Sequence, residues 1–316
     1  MFSSTKGRAG SAGGSPMTSL AARVRAVRPP VGSIDRHGHR PGVRPLTVGV
    51  LVDRRYLTQA QPTGLAVALR AAGVQVRISV TEDIDVDLCT GDWCAGFDVI
   101  AARGRSARLV AMLRAAEAYD IPVVNSPGAI ESVHDKAGMA AILAVAAIPT
   151  PRAWMGSPKQ LSGRTDLRFP LVLKPTHGDN ARGLRVVRSR AELAAVDWPT
   201  AEALAQELHR GDAHDLKLYV AGPTVWAVRR ASPVTDDGSV RPVGPGRRVA
   251  TTPELRSLAR TCARLFGLSL CGIDCVMTPA GPVVIEVNDF PNYRGIGARV
   301  DHQLARVVLA RALVER

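Results

Sequence analysis

Two apolar runs near the C-terminus, Gly272-Ile273-Asp274-Cys275-Val276 and Val284-Ile285-Glu286-Val287-Asn288, each carry an acid where a buried strand would ordinarily hold another Val or Ile. The turn-rich segment Thr278-Pro279-Ala280-Gly281-Pro282 joins them, so an antiparallel hairpin with alternating side chains is predicted. Asp274 and Glu286 then sit opposite each other, and Asn288 shares the face of Glu286. Two carboxylates and an amide oxygen gathered at one spot repel unless a cation lies between them. All-oxygen ligation suits magnesium shared with phosphate oxygens, and the same donors admit manganese. The pattern implies a metal held for a nucleotide. The alternative, a strand pair whose acids are surface charges, fits poorly with acids set in continuous Val/Ile runs.

Lysine is scarce, five residues against thirty-six arginines, so each retained lysine suggests a place where a compact ammonium serves better than a broad guanidinium. Lys174 ends the run Phe169-Pro170-Leu171-Val172-Leu173 and is followed by the loop His177-Gly178-Asp179-Asn180-Ala181-Arg182-Gly183. Gly178 and Gly183 would let backbone N–H groups approach phosphate oxygens, as in a phosphate flap; a plain polar hairpin loop is the alternative. Gln206 and Glu207 close another strand, where the backbone and Glu207 could pair with an adenine edge, and Asp215 opens the next, placed for ribose hydroxyls. Lys136 taken alone reads as a surface lysine at a helix start, and His134, Trp154 and Trp226 read as core or surface residues.

These residues need a scaffold. Strand Leu46 to Asp53, helix Pro62 to Ala72, strands Val74 to Val80 and Phe97 to Ala101, helix Ser106 to Tyr119 and strand Ile121 to Asn125 alternate as in a parallel, Rossmann-like sheet. No G-x-G-x-x-G follows the first strand, so a dinucleotide is not required there. A helix is predicted over Pro127 to Ala147, broken by Ile148-Pro149-Thr150-Pro151. Beyond it, strands at Leu171 to Pro175, Leu184 to Arg188, Ala203 to Leu208, Leu216 to Ala221 and Val225 to Ala231 precede the hairpin. Helices at Ala191 to Val196, Pro253 to Phe266 and Asp301 to Glu315 complete an α+β half.

In this order (Asp-Lys, Val-Leu-Lys-Pro, a glycine loop, Gln-Glu, Asp-x-Lys, Arg-Arg, Asp, Glu-x-Asn) the chain resembles the ATP-grasp superfamily from about Leu46 onward. Within it, the stretch from Thr252-Pro253-Glu254 through Gly272-Ile273-Asp274 to Pro291 is similar to the RimK-type ligases that modify ribosomal protein S6. The resemblance implies a Rossmann-like N-terminal domain over 46–125 and an ATP-grasp domain over 126–316, with subdomains of about 150–208 and 209–316. It also implies that Lys136 and Lys174 contact ATP phosphates, that Glu207 and Leu208 lie at the adenine, that Asp215 lies at the ribose, and that Asp274, Glu286 and Asn288 hold magnesium. In such ligases ATP phosphorylates a carboxylate and an amine attacks the acyl phosphate, with Arg229 or Arg230 the cation that stabilises phosphoryl transfer.

Two departures stand out. The Arg-Ser-Asn and glycine-rich stretch usual after the paired arginines is replaced by Ser239-Val240-Arg241-Pro242-Val243-Gly244-Pro245-Gly246-Arg247-Arg248. Asn288-Asp289-Phe290-Pro291-Asn292-Tyr293-Arg294-Gly295, with Asp215-x-Lys217-x-Tyr219, is similar to inositol trisphosphate 5/6-kinases, which share the fold. A polyphosphate pocket needs many cations. Beyond Arg241, Arg247, Arg248 and Arg294, only His177 and His214 could join it, so small-molecule or peptide carboxylate and amine substrates fit better.

Of the +13 net charge, +7 falls in the first 45 residues, a Gly/Ser/Pro-rich stretch without hydrophobic period that reads as a disordered basic tail. The remainder is modestly basic, and 4% aromatics offer few stacking platforms, which argues against nucleic acid. No apolar run suggests a signal peptide or membrane span. Five cysteines without a paired framework point to a reducing compartment, the cytoplasm by default. A homo-oligomer is left open.

Overall fold

A computed structural model describes residues 45–177, 183–209, 211, 214–235, 239–240, 242, 244–293, 295–297 and 299–314. The expected basic tail, but for Pro45, lies outside them, as do Gly178, Arg241 and Arg294. β1 (Thr47–Val52), α1 (Ala60–Ala71), β2 (Gln75–Val80), β3 (Val99–Arg103), α2 (Ala107–Ala118) and β4 (Val123–Val124) build a parallel sheet in the order β2-β1-β3-β4. β1 is buried along its whole length, as its unbroken apolar run requires. Asp53, at its end, is buried and ties down the loop after β3: its carboxylate accepts from the N–H of Arg105 (2.6 Å) and of Ser106 (2.8 Å) and from the Ser106 hydroxyl (2.7 Å).

The single helix expected over Pro127 to Ala147 is two, α3 (Pro127–His134) and α4 (Lys136–Val145). Asp135 stands extended between them and caps α4, accepting from the N–H of Ala137 (3.1 Å) and Gly138 (3.0 Å). A Cβ on Gly138 would lie 2.5 Å from Asp135 Oδ2, so the cap needs glycine there. This break makes Lys136 the first residue of a helix, with its N–H on Thr176 O (3.0 Å).

β5 (Ala153–Gly156), α5 (Pro158–Ser162), β6 (Leu171–Lys174), β7 (Arg185–Val187), α6 (Arg190–Ala194) and β8 (Ala203–Glu207) supply an antiparallel sheet ordered β5-β8-β6-β7. β9 (His214–Ala221), β10 (Thr224–Ala231), β11 (Arg247–Val249), α7 (Pro253–Leu265), β12 (Leu270–Thr278), β13 (Gly281–Asp289) and α8 (Val300–Val314) follow. Their strands form an antiparallel sheet ordered β11-β10-β9-β12-β13. β5, α5 and β11 are additions to the sequence reading: the strands are short and only partly buried, so they carry little periodic signal.

One face of the five-stranded sheet buries Leu218, Val220, Ala227, Ile273 and Val287 with residues of α3, α4 and α7. The opposite face buries Tyr219, Trp226, Val228 and Phe290 in one core with Tyr293, α8 and the parallel sheet. Full burial of aromatics such as Phe290 and Tyr293 contributes about 1.5–3 kcal/mol each. Alternation places Lys217, Arg230 and Asp274 on that second face as well, beyond the edge of the aromatic core. Among the described residues no helix is long and apolar enough to cross a membrane.

Candidate active site

Those charged residues line a cavity of about 470 Å³ that also takes Lys174, Gln206 and Glu207 from the smaller antiparallel sheet and Lys136 from the start of α4. The volume is that of a small-molecule site. Strand register puts Asp274 opposite Glu286 on one side and opposite Lys217 on the other, as the hairpin reading predicts. The register slips between Asp274 and Cys275, leaving Ile285 as an extra residue. This bulge lets Val284 and Val287 both enter the core while Glu286 and Asn288 stay on the cleft side, a re-aiming that bulges commonly perform.

Cations answer the acids. Lys136 Nζ lies 3.0 Å from Glu286 Oε2, Lys217 Nζ lies 3.0 Å from Asp274 Oδ2, and Arg230 NH2 lies 2.5 Å from Asp274 Oδ1. Asn288 Nδ2 donates to Asp274 Oδ2 at 2.9 Å, and its Oδ1 accepts from Arg105 NH2 at 2.9 Å. A Cβ on Gly272 would come within 3.0 Å of Lys217 Cε, so glycine clears the path of that lysine. Burial alone would raise the Asp274 pKa, but Lys217 and Arg230 outweigh it and hold the carboxyl below its ordinary range. Lys174 is buried, which lowers its ammonium to about 8 against the opposing pull of Glu286. Asp215 is raised, chiefly by burial, against a hydrogen bond from Ser232 and the charge of Arg230.

The cavity thus gathers Lys136, Lys174, Gln206, Glu207, Leu208, Asp215, Arg230, Asp274, Glu286 and Asn288, all expected site residues. Two described ones are not brought in. Arg229, next to Arg230, falls on the other face of β10, exposed and 3.3 Å from His214 Nδ1, so strand alternation decides between the paired arginines. Gly183 is exposed and outside the lining, at φ +75. Lys217 is a site residue whose only sequence signal is its place in the Asp-x-Lys pattern. Arg105, His134 and Asp289 form a cluster with no sequence signal: His134 Nε2 lies 3.0 Å and Arg105 Nη2 3.7 Å from Asp289 Oδ1. Burial would raise the Asp289 carboxyl, but His134 and Arg105 hold it low.

Residues 133–311, from the end of α3 into α8, match the RimK-like ATP-grasp domain. The chain belongs to the RimK-like ATP-grasp family. It is 29% identical over 281 residues to a probable alpha-L-glutamate ligase of Maridesulfovibrio salexigens, covering 82% of this chain and 93% of that protein. To another, of Hydrogenovibrio crunogenus, it is 29% identical over 233 residues, covering 70% of this chain and 77% of that one. The fold is that of solved ATP-grasp structures. A RimK domain protein from Sphaerobacter thermophilus superposes with a TM-score of 0.68 at 20% identity, covering 83% of this chain and 99% of that one. The ligase PsnB with minimal precursor, Mg and ADP superposes with 0.62 at 19% identity, covering 84% and 97%.

This RimK-like cavity fits an ATP molecule on its own evidence. Glu207 Oε1 is a buried acceptor, and Arg230 Nε a buried donor, that no group among the described residues satisfies; buried polar atoms of this kind call for a bound partner. Glu207 can accept from an adenine amino group. The Leu208 N–H is already taken by Pro170 O at 3.0 Å, so Leu208 lines the site without offering that donor. Asp274, Glu286 and Asn288 bring two carboxylates and one amide to one side of the cavity, and among the described residues no set of three His, Cys, Asp or Glu could hold a metal alone. That sparse donor set suits a hard cation whose remaining ligands are phosphate oxygens and water.

Proposed function

We propose that this RimK-like ATP-grasp protein is an ATP-dependent carboxylate–amine ligase working through an acyl phosphate. The observation that carries the reading is the convergence of Lys136, Lys174, Lys217 and Arg230 around Asp274 and Glu286 in one cavity, beside a buried Glu207 acceptor, suited to adenine, that no group among the described residues satisfies. Lys136 and Lys174 hold phosphate oxygens, Asp215 takes the ribose hydroxyls, and Arg230 stabilises the transferring phosphoryl group. Asp274, Glu286 and Asn288 hold magnesium, which when bound neutralises phosphate charge. A substrate carboxylate oxygen attacks the terminal phosphorus and ADP leaves. The amine then attacks the acyl carbon, losing a proton as inorganic phosphate departs.

The relatives named as glutamate ligases support an amino-acid or peptide acid as substrate. An inositol phosphate kinase is not favoured, because the family and its named relatives point to ligation. We assign the three sheets to an N-terminal, a central and a C-terminal lobe with divisions near residues 125, 150 and 208, a division that the sheet order supports. Five free cysteines, four of them buried, support the cytoplasm as location. The test is a screen that follows ADP release with single amino acids, amino-acid pairs and inositol phosphates. Free phosphate formed with an acid plus an amine supports the ligase; phosphate retained on the acceptor overturns it.

A further inference from the structure

We propose that Arg105 is a positioning residue that orients the side-chain amide of Asn288 as a metal ligand. The inference rests on the magnesium assignment made within the ligase reading. No residue of the parallel sheet or its loops lines the nucleotide cavity, but Arg105, on the loop after β3, reaches it through Asn288. An amide carries an oxygen at one end and an amino group at the other, and its partners decide which way it points. Arg105 Nη2 lies 2.9 Å from Asn288 Oδ1, and Asn288 Nδ2 lies 2.9 Å from Asp274 Oδ2. A guanidinium only donates and an ionised carboxylate only accepts. Turning the amide over would set donor against donor and acceptor against acceptor, so one orientation survives. The amide oxygen has two lone pairs and can accept from Arg105 while it ligates a cation. Metal ligation competes for the Asp274 oxygens, so in the loaded site Arg105 is the group that keeps the amide oxygen in place.

The guanidinium is itself fixed from its own backbone. The Arg105 N–H donates to the buried carboxylate of Asp53 at 2.6 Å, and the side chain is only 12% exposed. Gly104 admits that carboxylate, since a Cβ there would lie 2.5 Å from Asp53 Oδ2. A cation beside a metal ligand would ordinarily repel the metal. Here the buried Asp289 carboxylate, 3.7 Å from Arg105 Nη2, offsets the charge, and His134 Nε2 holds that carboxylate in turn at 3.0 Å. Arg105 thus serves by the direction of its donor and not by its charge. Groups that fix a metal ligand in this way typically carry about 10- to 100-fold of metal affinity.

The test titrates manganese into the full chain loaded with equimolar ADP and follows free manganese by electron paramagnetic resonance, with ADP alone as the blank. Arg105→Met keeps the length of the side chain and removes donor and charge. Loss of a cation alone would tighten manganese, whereas loss of the amide's orientation weakens it, so the sign decides. The expected result is manganese binding about tenfold weaker or more in Arg105→Met, with metal-free ADP affinity unchanged within about twofold and part of the loss recovered in Arg105→Lys. In an Asn288→Ala background Arg105→Met should have no further effect, because no amide is left to orient. The proposal is overturned by unchanged or tighter manganese binding in Arg105→Met, by a parallel loss of metal-free ADP affinity, or by an equal loss in the Asn288→Ala background. Where Arg105→Met fails to fold, a crystal structure of the unaltered chain with ADP and manganese decides. Asn288 Oδ1 on the metal and within hydrogen-bond distance of Arg105 supports the proposal; an oxygen off the metal or released by Arg105 overturns it. Ligation by a chain whose manganese affinity ignores Arg105 sinks the positioning role and keeps the ligase. Manganese affinity controlled by Arg105 in a chain that releases no ADP with any acid and amine sinks the ligase and keeps the positioning role.

Discussion

Arg230 and Asp274 meet at 2.5 Å across strands that are not neighbours in sequence, while Lys217 closes on the second oxygen of the same carboxylate at 3.0 Å. The acid is thereby held charged, and the guanidinium is held over the cavity. In the proposed role, removal of Arg230 would strip the transferring phosphoryl group of its partner and leave Arg229 on the far face. Arg230→Ala is expected to lower kcat by about 10²- to 10³-fold and Arg229→Ala by less than about twofold. Steady-state kinetics of ADP release measures both; equal losses would place the two arginines in one role.

Glu286 faces Lys136 at 3.0 Å and shares the cleft side with Asp274. Glu286→Gln keeps the shape and removes the charge. ATP turnover should drop by about 10²-fold or more with an unaltered circular dichroism spectrum and melting curve. Near-normal turnover in this variant would falsify the metal assignment.

Lys174 carries a pH dependence whose sign follows from its burial. Its ammonium, lowered from 10.5 to about 8, is the form that attracts phosphate. As pH rises through about 8 the charge is lost, so ADP affinity should fall between about pH 7 and 9, and Lys174→Met should flatten that fall while weakening binding at neutral pH. Folding stability moves the other way. Between about 8 and 10.5 the unfolded chain binds a proton that the folded one lacks, so this lysine's contribution to stability rises with pH. Calorimetry for ADP and urea unfolding across the same pH series separate the two trends; an ADP affinity that does not change with pH removes Lys174 from the phosphates.

Asp135 starts α4 and sets the departure point of Lys136. Asp135→Ala should cost about 0.5–2 kcal/mol, the usual loss of a helix cap, and should also weaken ADP binding because the Lys136 backbone is no longer fixed. Urea unfolding and ADP titration together check it. A stability loss without an affinity change would make the cap purely structural.

The acid-bearing hairpin is legible in the sequence because apolar runs and a turn signal fix the register that pairs Asp274 with Glu286. The order of lysines and acids is legible for a related reason: Lys174 and Glu207 each end a recognisable strand, and Asp215 opens one. The choice between Arg229 and Arg230 is not: both faces of β10 carry core, and only the three-dimensional packing shows which of them opens into the cavity. Nor is the split of α3 from α4, where one capping aspartate overrides a continuous helical pattern. Arg105 is least legible of all. It meets Asn288 across 183 residues of sequence, through a tertiary contact to which no local pattern points.

Tyr219 and Lys217, two positions apart on β9, stand on the same face of one sheet, the first in the aromatic core and the second in the cleft. The active site is consequently not a separable cap on the protein. To open Lys217 and Asp274 locally, the β9–β12 ladder that also carries the aromatic core must break. The cleft floor and the core are therefore expected to open as one cooperative unit, and amide protons of Leu218 and Ile273 should exchange only with global opening, which native-state hydrogen exchange checks. Nucleotide held on that floor then stabilises the whole fold and not a local loop.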